Sequence, residues 1–169
     1  GSMQGGPAES IIPGSPREFS TIAVYWDDLW FPFPRVGFPG PADPDAFMAF
    51  RTDGEPGSRT FTLQWNRARH FQFGGDPWTL QIVLFEGTNE IELRYLDVTG
   101  GPGAFGGSAT VGIRNVGAQT SGEFLNWSVN QPVLRDGTTI RFTPIPEPGS
   151  LLLLGVGVFG LLGWRWQTR

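Results

Sequence analysis

A single histidine, His70, stands in a chain of 169 residues that contains no cysteine. A Ser/His/Asp hydrolase would therefore rest entirely on His70, and no thiol nucleophile, thiolate metal site or disulfide framework is available. Arg67 and Arg69 lie beside it, and neighbouring positive charge disfavours an imidazolium. The reading is an exposed strand or loop histidine without a catalytic role. Glu90 and Glu92 share one face of a strand at roughly 7 Å, a separation that glycosidases use, but their outward placement lacks the cleft that would push two carboxyl pKa values apart. Arg94 on the same face offers a salt bridge instead. Asp27 and Asp28, joined by Asp43, Asp45 or Asp53, form an oxygen-rich set with Ca²⁺ as the candidate ion. Trp30, Phe31, Phe33 and Trp127 are the rings that could stack on a sugar.

The charge balance narrows the partners. All twelve basic residues are Arg, and up to Gly149 ten Arg stand against sixteen acidic residues, a net charge of −6. A body of that sign repels phosphate backbones, so nucleic-acid binding is excluded. Two glycine patterns resemble a phosphate loop and fail on context. Gly101-Pro102-Gly103-Ala104-Phe105-Gly106 leads into a strand where a nucleotide site needs a helix N-terminus, and Gly155 to Gly160 lies in an apolar run.

The elements that position these residues read as β. With 25 Gly, 15 Pro, 14 Phe and 7 Trp, the composition favours short strands joined by many turns. Strands are predicted near Phe19 to Trp26, Ala46 to Thr52, Arg59 to Asn66, Trp78 to Glu86, Glu90 to Asp97, Ser108 to Arg114, Glu123 to Ser128 and Thr138 to Thr143. In the third, Phe61, Leu63 and Trp65 alternate with Thr60, Thr62 and Gln64. Gly87-Thr88-Asn89 joins the next two as a hairpin. Beyond the turn Ile91, Leu93 and Tyr95 face the core, and Glu90, Glu92 and Arg94 face water. Ile82, Leu84 and Val111 complete the predicted core. The links are too short for parallel crossovers, so residues 19–143 are read as one all-β domain: a single antiparallel β-sandwich, jelly-roll-like. Residues 1–18 read as a flexible leader, with Gly1-Ser2-Met3 as a cloning scar and the export signal removed. Leu29 to Asp45, rich in Pro and aromatics, reads as a long loop whose rings either cover an open end of the sandwich or bind a ligand.

The C-terminal residues 144–169 differ in kind. Pro146, Glu147 and Pro148 precede an apolar run over 150–164, closed by Trp164, Arg165, Trp166 and Arg169. As a helix, Ser150 to Trp166 spans roughly 25 Å at 1.5 Å per residue, enough to cross a membrane with the indoles at the interface and the Arg residues on the cytoplasmic side. The order Pro-Glu-Pro, Gly-punctuated apolar helix, Arg resembles the PEP-CTERM sorting signal of Gram-negative bacteria. That resemblance implies recognition by an exosortase, inner-membrane anchoring with the body on the periplasmic side, and later passage to the cell surface. The family's terminal part is usually a tighter Arg cluster than Arg165 and Arg169 make.

The body resembles the nidogen-like extracellular domain found in many PEP-CTERM proteins. The residues that carry it are 23–28 (AVYWDD), 59–66 (RTFTLQWN), 80–86 (LQIVLFE), 91–95 (IELRY) and 109–113 (ATVGI). Such domains are extracellular interaction or matrix modules, and no catalytic set comes with the likeness. The expected function is a non-enzymatic cell-surface or extracellular-matrix protein, partnered by extracellular polysaccharide or by itself. The alternatives are a carbohydrate-binding module and, more weakly, a glycoside hydrolase.

Overall fold

The computed structural model describes residues 20–32, 43–71, 74–115 and 124–145. Among these residues the chain forms nine strands: β1 (Thr21–Trp26), β2 (Leu29–Trp30), β3 (Phe47–Asp53), β4 (Thr60–His70), β5 (Gly74–Phe85), β6 (Ile91–Asp97), β7 (Thr110–Arg114), β8 (Phe124–Val129) and β9 (Thr138–Phe142). The one helical element among the described residues is a 3₁₀ turn at Ala104–Gly106. No helix among the described residues is long and apolar enough to cross a membrane. The leader, Phe33, the Pro146-Glu147-Pro148 triplet, the proposed transmembrane segment and the terminal Trp and Arg residues lie outside the described residues.

The strands form two antiparallel sheets. One has the order β1-β7-β8; the other runs β4-β5-β6-β9, with β2 and β3 both paired to the outer edge of β4. Consecutive strands β3 to β6 stay in one sheet because their links are hairpins, so the larger sheet is a meander and not the alternating order of a jelly roll. The hairpin between β5 and β6 turns through Gly87 (φ 68°) and Asn89 (φ 55°), the two residue types that tolerate the left-handed region best.

The sheets pack through one apolar cluster that joins Val24, Tyr25 and Val111 of the smaller sheet to Trp78, Leu80, Ile82, Leu93, Tyr95 and Ile140 of the larger. The Tyr95 hydroxyl ties them directly, donating to the Val24 carbonyl at 2.8 Å. The predicted core residues Ile82, Leu93, Tyr95 and Val111 are buried, and Leu84 and Ile91 pack partly buried against them. Across the larger sheet Phe50, Leu63, Ile82, Leu93 and Ile140 stand in register as one row. Leu93 is fully buried at its centre while Phe50 at the β3 end is 74% exposed. The three-stranded sheet thus covers β5, β6 and β9 but not β3.

Two ends of this sandwich differ. At one lie the β4 terminus, β2, Trp78 and the loop 98–109. At the other, β9 ends at Phe142, paired with Ile91.

Candidate functional site

At the first end β4 carries a bulge between Trp65 and Ala68, with Arg67 at φ 57°. The extra residue reverses the alternation, so Ala68 and His70 turn inward in place of Arg67 and Arg69. His70 is consequently buried, edge-on to Trp78 at 6.5 Å between ring centres, and is not the exposed residue that sequence alternation implies. Its Nε2 lies 3.2 Å from Oδ1 of Asp27, and the Ser108 hydroxyl donates to the other carboxylate oxygen. Ser, His and Asp therefore meet, but with the aspartate in the middle. A triad needs the imidazole between the other two so that it can take the serine proton, and this arrangement gives it none to take. The cluster is a polar clamp closing one end of the sandwich. Tyr25 completes it, with its ring 4.9 Å from Trp78 and its hydroxyl donating to the Gly103 carbonyl. Burial drives the Tyr25 phenol pKa up.

Asp43 at the same end is held by Arg67, with Nε 2.9 Å and Nη2 2.8 Å from one carboxylate oxygen, and Arg69 lies 3.7 Å away. The Arg67 hydrogen bond is the main reason its pKa falls below the usual aspartate value, outweighing the opposing effect of burial. A Ca²⁺ ion bound by Asp27, Asp28, Asp43 and Asp45 would have to displace His70 and Ser108 from the first and Arg67 from the third. Among the described residues no three His, Asp or Glu side chains are grouped to hold a metal.

The second pair of carboxylates is also engaged. Glu92 lies on the outer face of the larger sheet yet is only 3% exposed, because the guanidinium groups of Arg94 (2.6 Å) and Arg141 close over it. Burial alone would raise its pKa; the hydrogen bonds and charge of the two arginines outweigh this, and the net shift is downward. The outer face is polar as expected, but Glu92 is not in water, since long arginine stems cover it. A carboxyl held ionised in this way is a poor general acid. Glu90 accepts from Thr88 and from Thr143, the first residue beyond β9.

The aromatic residues fall into two groups. Trp30, in the short strand β2, is half-buried with Phe71 edge-on at 6.4 Å, and Phe31 is likewise half-buried. Trp127, on the edge strand β8, is 46% exposed. Sequence reasoning placed Trp30 in a loop; a two-residue strand leaves no periodicity to find.

At the opposite end, a cleft of about 550 Å³ opens between the sheets, floored by Ile22, Phe61, Leu84 and Ile91. Arg59 and Glu86 form its rim in a two-point pair at 2.8 and 2.7 Å. The chain leaves β9 beside this cleft, and Ile145 is 91% exposed.

Residues 7–146 match the NIDO-related family model, and residues 144–169 match the PEP-CTERM protein-sorting motif. No curated protein and no solved structure matches the chain. Both families are non-catalytic in kind, in keeping with carboxylates and a histidine that are committed to structural partners. The sorting motif is that of exported surface proteins processed by an exosortase and anchored in the membrane. The chain therefore belongs to the NIDO-related family, as a nidogen-like body carried on a PEP-CTERM tail.

Proposed function

We propose that the sandwich is a non-enzymatic structural module of the polymer layer outside the cell, delivered there by its tail. The observation that carries this reading is the separation of body from tail. The last strand ends at Phe142, and Ile145 already stands almost wholly in solvent. Pro144, directly after Thr143, cannot donate a ladder hydrogen bond, and Pro146 and Pro148 cannot either, which disfavours continuation of the sheet past β9. A processing enzyme would then meet the triplet without unfolding the body. The test is removal of everything after Pro144. The body should keep its melting temperature within a degree or two, and membrane retention in the host should be abolished. A large loss of stability would make the tail part of the fold and end this reading.

A second reading, carbohydrate binding, is favoured by Trp127, whose exposed indole on an edge strand could stack on a sugar ring. A glycan array should then return a polysaccharide whose binding is lost in Trp127→Ala. Equal binding by that variant would remove Trp127 from consideration.

A further inference from the structure

The strand β3 bonds to β4 on one side and to nothing among the described residues on the other. Natural sheets blunt such edges with Pro, Lys, bulges or a covering element. Among the described residues β3 has no Pro, Lys, bulge or covering element, and its only charges, Arg51 and Asp53, neutralise each other: Phe47–Asp53 runs seven residues in unbroken register with β4, and every one is exposed. Three of them are large and apolar, with Phe47 at 43%, Met48 at 58% and Phe50 at 74% exposure. Phe50 stacks on Phe61, ring centres 5.9 Å apart, on the same face of the sheet as Leu63.

We propose that β3 is a self-association strand, and that two copies of this chain pair through it antiparallel about a two-fold axis at Phe50. Self-complementarity points to a second copy, and charge selects the register. The body carries −6, so two copies repel wherever their net fields meet. β3 is locally neutral because Arg51 and Asp53 pair at 2.6 Å. With the axis at Phe50, Phe50 meets the partner's Phe50, Met48 meets the partner's Thr52, and Arg51 meets the partner's Ala49, so no like charges stand opposite each other. Moving the axis to Arg51 sets Arg51 against the partner's Arg51. Moving it to Ala49 sets Asp53 against the partner's Asp45. Registers shifted by a single residue join the apolar inner face to the partner's polar outer face. Only the register through Phe50 keeps all seven residues paired and the apolar row continuous across the seam. The contact is isologous and closes as a dimer.

The experiment uses the full chain in detergent micelles, with its mass followed by sedimentation. The wild type should be a dimer in the micromolar range. Phe50→Asp and Phe50→Lys should each raise the dissociation constant by at least about tenfold, since each sets like charges face to face at the axis. An equimolar mixture of the two variants should recover the dimer. A monomeric wild type, a Phe50→Asp chain that dimerises as well as the wild type, or a mixture that stays monomeric would overturn the proposal. Should either charged variant misfold, Phe50→Cys keeps the question open to measurement, because the chain has no other cysteine. Under mild oxidant it should crosslink to a covalent dimer while Leu125→Cys, exposed on β8, does not. Equal crosslinking of the two, or none at position 50, counts against the paired strand.

Discussion

Glu86 accepts two hydrogen bonds from the Arg59 side chain and further ones from the backbone N–H groups of Gly57 and Arg59. These contacts, led by the Arg59 side chain, hold its pKa at about 2 against a usual value of 4.5. Asp43 and Glu92 are shifted in the same direction by their own arginines. A carboxylate with a depressed folded-state pKa contributes stability that is complete above its unfolded pKa and is lost as pH falls through the folded one. The melting temperature should therefore hold steady, as far as these groups decide it, down to about pH 5 and fall between about 4.5 and 2. Glu86→Gln should flatten part of that fall, and an unchanged acid limb would show that the Arg59 pair contributes nothing. Trp78 is the corresponding apolar anchor. It is fully buried, and its indole N–H donates to the carbonyls of Thr99 at 3.0 Å and Gly100 at 3.3 Å. Trp78→Ala should cost about 3–5 kcal/mol in denaturant unfolding, since it opens a cavity and leaves both carbonyls without a donor.

At the scale of elements, the strands that alternate cleanly are legible in the sequence. Phe61, Leu63 and Trp65 on β4, and Ile91, Leu93 and Tyr95 on β6, each mark a face that a period of two reveals. The reading fails where a local irregularity resets the period. Continued past Trp65, the alternation puts Arg67 inside and His70 outside; the bulge at Arg67 inverts both, and nothing in the residue types announces it. The partner of His70 is equally hidden, because Asp27 lies 43 residues from His70 and Ser108 lies 81 residues from Asp27, and the three meet only through sheet packing. Glu92 failed differently: its side was correctly assigned, but its burial depends on Arg141, a residue of β9 that only the β6–β9 pairing brings near. Glu92→Gln retains the shape and removes the charge, and should lower stability by about 1–3 kcal/mol, toward the low end because both arginines remain half in water. A loss no larger than that of a surface control would make the pair ornamental.

At the scale of the whole molecule, direction matters as much as composition. β3 and β9 both finish at the end from which the tail departs: Asp53 pairs with Thr60 and Thr60 with Phe85, while Phe142 pairs with Ile91 and Ile91 with Leu84. Two bodies joined through antiparallel β3 strands therefore run their β9 strands in opposite directions. With the strands upright on the surface, both bodies cannot be rooted in one flat bilayer. In that orientation the proposed dimer is a bridge between facing surfaces, or a species that forms after the tail has been released. Vesicles carrying the full chain should accordingly adhere to one another, visible as rising turbidity, while vesicles carrying Phe50→Asp stay dispersed. Vesicles that never adhere, although the detergent-solubilised chain dimerises, would leave the released form as the one that pairs. The running direction of a single edge strand would then decide whether neighbouring surfaces are joined.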